Sequence, residues 1–443
     1  MPNPNALVDG VNSVAPLTES TTAQSTAQGS QYRSVTFQSG RSALLDLAQP
    51  RSQVWAEVLE DLRRTNQPVY IEIEPETNLI SELLLPIVYR VGEITPTTDG
   101  MTVELIISHA IHTLQRSNPD YDELLATLET ARDQRTAVIV TETLNEHEII
   151  DVREAPAPFV EADAAPQDIR PEMAPPASVV TMQRARELFA LVNARVCCAG
   201  NPTAPCIPFT YPDDGCWGRA HEMARLMIGQ GVQPEKIWIY GSLNTPTHNH
   251  PQCRVLWGWH VAPTLRVNIG GNIQPYVIDP SLFNDPVTTT TWKSVQGDPN
   301  ASLQPSDADL FHRSKNASWT ETDPTYSKTV QVLNTYRNLL KLRSASTVGP
   351  PPYETCIPRA PGVQWYGTIA ANASHRWFTW GWPAKWHMLW TVMPLTPCPG
   401  GPQLSWTVQV ERANSTTCTY WITVRNLTAG PVRFEGRYDI LSR

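Results

Sequence analysis

The chain has 443 residues, of which 41% are hydrophobic and 17% charged, enough for roughly two to four domains that fold without metal or disulfide support. A formal net charge of −9 with no basic stretch excludes a nucleic-acid binder and a protein held electrostatically on anionic lipid. No apolar run approaches the roughly 20 residues of a membrane span.

Residues 1–31 are dominated by Ser, Thr, Asn, Gln and Ala and predict a disordered tail. They lack the basic start and apolar stretch of a Sec-type signal, so the chain reads as cytoplasmic, with export by a signal-independent route as the alternative. Over 32–152 the pattern is that of a small α+β domain. Its helices are expected at Ser52 to Thr65 and Asp120 to Gln134, and its strands at Val69 to Ile73, Met101 to Ile107, Ala137 to Glu142 and Glu148 to Val152. Residues 153–178 turn to Pro, Ala and acids, too poor in large apolar side chains to fold, and read as a stiff linker separating the first domain from the rest.

The segment 179–348 opens with a helix at Met182 to Ala194 and a cysteine- and proline-containing loop. A second helix is expected from Cys216 to Gln230, capped by Asp213 or Asp214, with Met223, Leu226 and Met227 on its apolar face. Strands at Lys236 to Ser242, Cys253 to Val261 and Tyr276 to Ile278 and a helix at Ser327 to Arg343 complete an α+β unit with an antiparallel sheet. Residues 358–443 hold eight of the fifteen tryptophans and read as short alternating strands separated by Pro/Gly/Asn turns, the pattern of a β-sandwich. The chain is thus expected to be multidomain α+β.

The chemistry-bearing residues lie in the third segment. Cys216, in DDGCWGRAH, sits where a turn becomes a helix, and unpaired N–H groups and the positive end of the helix dipole stabilise a thiolate there. His260 in WGWHV follows on a strand, and Asp279 in YVIDP at a strand end. A thiol needs a base to take its proton, and the imidazole needs an acid to fix its tautomer, so these three residues predict Cys–His–Asp acyl transfer. Trp217 either walls a substrate cleft or packs. Arg219 either lowers the thiol pKa or forms a core salt bridge. Trp259 supports the site or, facing away from His260, belongs to the core. Helix geometry turns His221 about 140° from Cys216, which makes it structural. His248-Asn249-His250 lies in a loop with no acid at ligand spacing and predicts no metal site, and no cofactor is expected. Among the cysteines, Cys197, Cys198 and Cys206 are candidates to pair with Cys253, and Cys398 with Cys418.

CWGRAHEM, WGWHVAP and YVIDPSLF followed by PVTTTTW resemble, in that order, the catalytic core of bacterial protein glutaminases, which deamidate glutamine side chains in proteins. The likeness covers about Tyr211 to Trp292 and not the first 150 or last 85 residues. It implies a fold related to transglutaminases and papain-like proteases, with Cys216 as nucleophile, His260 as general base and acid, and Asp279 orienting it. It further implies release of ammonia through a thioester, from protein or peptide substrates containing glutamine. A transglutaminase or cysteine peptidase using the same triad is the enzymatic alternative. A Trp-rich binding or effector protein with an inert triad, whose last domain grips a protein or sugar, is the alternative of another class. The first domain is open to a pro-like, cleft-blocking role or to an adaptor role.

Overall fold

The computed structural model describes residues 5–15, 32–155, 175–315, 319–353, 362–395 and 400–442. It divides into two compact units, residues 1–355 and 356–443. The first unit begins with strands β1 (Ala6–Val14), β2 (Tyr32–Phe37) and β3 (Ser42–Asp46), helix α1 (Pro50–Thr65), and strands β4 (Pro68–Ile73) and β5 (Ile80–Leu84). Their antiparallel sheet runs β3-β2-β1-β4-β5. The next stretch comprises β6 (Ile87–Pro96), β7 (Gly100–Leu105), β8 (His112–Gln115), α2 (Tyr121–Gln134), β9 (Ala137–Glu142) and β10 (Ile149–Glu154), in the order β10-β9-β6-β7-β8. Read from its other edge, this is the same connectivity. Both helices end on a left-handed residue, Asn66 at φ 52° and Arg135 at φ 56°, and both following hairpins turn on one, Asn78 at φ 60° and His147 at φ 50°.

The single α+β domain expected over 32–152 is therefore a pair of β₃αβ₂ repeats with separate cores, one around Val35, Phe37, Leu59 and Ile71, the other around Leu114, Leu128, Val138 and Val140. Its first strand comes from the segment expected to be a disordered tail. β1 holds its place because it pairs with β2 on one side and β4 on the other while burying Leu7 and Val11. With Ala6, Val8 and Val14 these side chains supply apolar surface that the polar composition of residues 1–31 conceals.

The rest of the first unit comprises β11 (Val179–Thr181), α3 (Met182–Asn193), α4 (Cys216–Ile228), β12 (Glu235–Pro246), β13 (Arg254–Ile269), β14 (Asn272–Val277), β15 (Val287–Thr288), α5 (Thr289–Val295), β16 (Ser302–Asp307), β17 (Leu310–Arg313), β18 (Thr320–Thr322) and α6 (Ser327–Ala345). The sheet runs β15-β14-β13-β12-β16, and β11 adds a short parallel pairing to the far end of β13. One core joins α3, α4 and α6 to the sheet through Leu188, Met223, Trp238 and Leu340; a second collects Ile237, Ile239, Trp257 and Trp292. Alternation along β12 sends Trp238 to the first core and Ile237 and Ile239 to the second, so the sheet is buried on both faces. Cys197 is bridged to Cys206, and Cys198 and Cys216 are free. Cys253 is disulfide-bonded, but not to the 197–206 loop.

The proline-rich linker separates the first two parts in sequence but not in space. Arg343 of α6, fully buried, donates to both Asp213 oxygens at 2.7 and 2.5 Å and to the Leu144 carbonyl at 2.9 Å, joining the loop before Cys216 to the second repeat. His250 stands 3.2 Å from the same carboxylate and contacts the Asn145 carbonyl at 3.0 Å. Burial alone would raise the Asp213 carboxyl, but the Arg343 charge holds it well below the usual carboxylate range.

The second unit comprises β19 (Gly362–Ile369), β20 (Ser374–Pro383), β21 (His387–Pro394), β22 (Leu404–Arg412), β23 (Thr417–Asn426) and β24 (Val432–Ser442). They form two three-stranded antiparallel sheets, β19-β24-β21 and β20-β23-β22, that touch through Trp377 on Phe434 and Trp390 on Tyr420. Trp382, Trp386 and Trp390 are buried, whereas Trp380 and Trp406 are exposed. Cys418 is a free, buried thiol, so the bridge to Cys398 allowed by the sequence does not form; Cys398 itself lies outside the described residues. Among the described residues no helix is long and apolar enough to cross a membrane.

Removing one partner of a buried ion pair strands the other without compensation, so Arg343→Ala is expected to cost about 3–5 kcal/mol. Urea unfolding of the full chain checks this. Arg186→Ala, which breaks the solvent-exposed pair with Asp285, serves as the control and should leave the midpoint unchanged.

Candidate active site

Cys216 is the first residue of α4 and is almost fully buried. The turn before it depends on Gly215, at φ 81°, where a Cβ would collide with the Tyr336 ring. Neither Asp213 nor Asp214 caps the helix, contrary to the sequence expectation: Gly215 is the N-cap residue, with no side-chain cap. Asp213 is engaged by Arg343. Asp214 accepts the Tyr336 hydroxyl at 2.5 Å, the Ser108 hydroxyl at 2.8 Å and the His109 backbone N–H at 3.0 Å. Both carboxylates are buried, and burial obliges them to take whatever donors the tertiary fold offers.

His260 lies on β13 opposite Ile239 of β12. Its ring is held between flat indoles, Trp257 at 4.5 Å and Trp292 at 5.5 Å between centroids. Its Nε2–H donates to Asp279 Oδ2 at 2.8 Å, and Trp292 Nε1–H donates to the same oxygen at 2.9 Å. Burial raises the Asp279 carboxyl, but His260 and the two hydrogen bonds outweigh it and lower it. With Nε2 committed, the remaining nitrogen, Nδ1, has no hydrogen-bond partner. The Cys216 sulfur, a nitrogen of His260 and a nitrogen of His109 all lie within 4.8 Å of one another.

The structure thus brings Cys216, His260 and Asp279 together and adds His109. That histidine belongs to the second N-terminal repeat, in the segment between β7 and β8. The segment lies along the edge of β13 that β14 leaves unpaired: Ala110 bridges Trp257, Gly258 N–H donates to the His109 carbonyl at 2.9 Å, and Ile111 N–H to the Leu256 carbonyl at 3.3 Å. Trp259 Nε1–H donates to the Ser108 carbonyl at 3.2 Å, and His312 reaches the Ile107 carbonyl at 3.2 Å. This is strand addition to an open sheet edge, the mode by which extended peptides are commonly held.

Enclosure changes the electrostatics expected at a helix start. Burial pushes the Cys216 thiol well above its ordinary value, and the Arg219 charge only partly opposes it, so the thiol is protonated here rather than poised as a thiolate. Burial likewise holds the His109 imidazole well below its ordinary value, and it is neutral. The remaining predicted residues have structural positions. Arg219 donates to the Tyr211 and Asp214 carbonyls at 3.1 and 2.5 Å, tying down the loop before the cysteine rather than pairing with an acid. Trp217 is buried against His109, Trp259 and His312, and so walls no open cleft here. Trp259 is partly buried, packs on Trp238 and contacts the 106–111 segment through its indole N–H. His221 accepts from Lys236 at 2.9 Å, and burial and that charge bring it down to about 3. Of the residues that sequence reasoning missed, Trp292 lay within a quoted motif, whereas Ser108 and His109 carried no signal of their own.

Residues 185–296 match the family described as Glutaminase. Among solved structures, a protein-glutaminase crystal structure is 30% identical, covering 42% of this chain and 100% of that chain, with a TM-score of 0.32. The solution structure of protein-glutaminase from Chryseobacterium proteolyticum is 31% identical, covering 41% of this chain and 97% of that one, with a TM-score of 0.33. A pro-protein-glutaminase crystal structure is 24% identical and covers 57% of this chain and 93% of that one, with a TM-score of 0.44. No curated protein matches the chain closely enough to count as a relative. The segment 185–296 is thus glutaminase-like.

Gly215→Ala combines a left-handed φ with a ring collision, and is expected to lower stability by about 1–3 kcal/mol. Thermal unfolding of the variant measures it; an unchanged midpoint would mean that the turn tolerates a side chain.

Proposed function

We propose that the chain hydrolyses glutamine side-chain amides in proteins, releasing ammonia, and that Cys216, His260 and Asp279 carry the reaction. The observation that supports this most directly is the His260 ring, fixed by Asp279 through Nε2 so that its unpartnered Nδ1 is left for the Cys216 thiol. In the reaction, His260 Nδ1 takes the thiol proton as sulfur attacks the carboxamide carbon, and Asp279 stabilises the imidazolium. The imidazolium then gives its proton to the departing ammonia, leaving a thioester. Water, deprotonated by the same imidazole, hydrolyses the thioester to glutamate. The backbone N–H of Cys216, at the open start of α4, is a candidate oxyanion donor.

We further propose that the N-terminal repeats hold the enzyme latent. The 106–111 segment occupies the β13 edge that a substrate backbone would use, with Gly258 N–H and the Leu256 carbonyl already bonded to it. Once vacated, those two groups would pair with the main chain of a polypeptide, which favours glutamine within a peptide over free glutamine. A transglutaminase or peptidase with the same triad would incorporate amine or cleave the chain instead.

Cys216→Ala should abolish ammonia release from a glutamine-containing protein. His260→Ala should approach that loss, and Asp279→Asn, which supplies the wrong hydrogen-bond partner, should lower turnover by about 10⁴-fold without eliminating it. Ammonia assays on blocked glutamine dipeptide and casein decide the matter, and an active Cys216→Ala variant would remove the triad reading. A protease site introduced within residues 156–174 should raise activity on cleavage. Unchanged kcat/KM on both substrates would rule out occlusion.

A further inference from the structure

His109, Cys216 and His260 do more than meet sterically. We propose that they form a zinc site that clamps the N-terminal segment onto the nucleophile and its base. The donor atoms already lie within 4.8 Å of one another. Tetrahedral zinc, with bonds of about 2.1 Å to nitrogen and 2.3 Å to sulfur, sets its ligands roughly 3.4–3.7 Å apart, so closure takes a small shift. Two of the donors are otherwise orphaned: His109 Nε2 and His260 Nδ1 are buried without a hydrogen-bond partner.

The outer contacts match what zinc ligands require. A metal-bound imidazole typically gives its other N–H to a carboxylate or a backbone carbonyl, which fixes the tautomer and turns the free lone pair to the metal. His260 Nε2 contacts the Asp279 carboxylate at 2.8 Å, and His109 Nδ1 contacts the Trp259 carbonyl at 3.0 Å. Both rings are thereby locked with the remaining nitrogen free. Asp214 Oδ1 stands 3.3 Å from His109 Nε2 without hydrogen-bond alignment, and either it or a water can supply the fourth position. One sulfur and two imidazoles select zinc over calcium or magnesium, and Cys216 loses its proton to solvent as the metal binds. The other histidine cluster offers no such opening, because both ring nitrogens of His112 are already engaged, Nδ1 by Glu142 and Nε2 by the Ser108 hydroxyl.

Zinc held this way would occupy the sulfur and the His260 nitrogen that the reaction needs, and would bind the inhibitory segment to both. Only that regulatory consequence rests on the proposed deamidase activity; the site itself does not. Cobalt(II) reports on the site directly. The chelator-stripped full chain should take up one equivalent, with the intense visible bands of tetrahedral cobalt and a thiolate-to-cobalt charge-transfer band. Cys216→Ser should lose the charge-transfer band. His109→Ala should weaken cobalt and zinc binding at least about tenfold, whereas His248→Ala should leave both unchanged. Circular dichroism confirms that each variant is folded, and His109→Gln replaces His109→Ala if that variant is not. Zinc should also slow alkylation of Cys216 in the native chain and not in the His109 variant. Absence of a thiolate band, its persistence in Cys216→Ser, or equal affinity in the His109 variant would overturn the clamp. Ammonia release by Cys216→Ala would instead overturn the functional reading and leave the clamp standing.

Discussion

A carboxylate buried one residue before Gly215 has to be hydrogen-bonded, and most of this unit's architecture follows from how Asp214 meets that demand. Three donors converge on it: the Tyr336 hydroxyl from α6, and the Ser108 hydroxyl and His109 N–H from the N-terminal segment. Its neighbour Asp213 is matched by Arg343, which also holds the second repeat. The loop that positions Cys216 is therefore held partly by donors that another part of the chain supplies. Removing the N-terminal segment withdraws two of the three Asp214 donors, so water or a rearrangement has to replace them at a cost of about 1–3 kcal/mol for each left unmet.

The same enclosure accounts for the state of the thiol. A helix start favours an anion, but the favourable dipole acts against a desolvation that rises with every apolar neighbour. At Cys216, which lies among Trp217, Val261 and the 106–111 segment, desolvation dominates. Sequence position alone thus predicts the thiolate that an open site would have, not the thiol of the closed one.

Legibility in the sequence followed the range of the interactions. The grouping of Cys216, His260 and Asp279 could be anticipated because each lies in a contiguous motif, and the structure brings the three together. Helices α1, α2 and α4 could be read from periodicity. β1 could not, since its few apolar residues lie in a polar segment and its stability comes from two distant strands. The repeat was hidden because its signature is left-handed backbone at Asn66 and Asn78, for which Arg135 and His147 give no sequence cue. His109 lies just past the strand read over Met101 to Ile107, and its place beside Cys216 is set by docking, which no local pattern encodes.

Docking of the 106–111 segment, rather than the intrinsic chemistry of the loop, is what we propose keeps Cys216 unreactive. The rate of Cys216 alkylation measured against pH, before and after cleavage within residues 156–174 and removal of the N-terminal fragment, tests it. The expected result is a thiol pKa above the ordinary range of about 8.5 in the intact chain, falling below that value once the segment has left. The same elevated pKa in both states would contradict it.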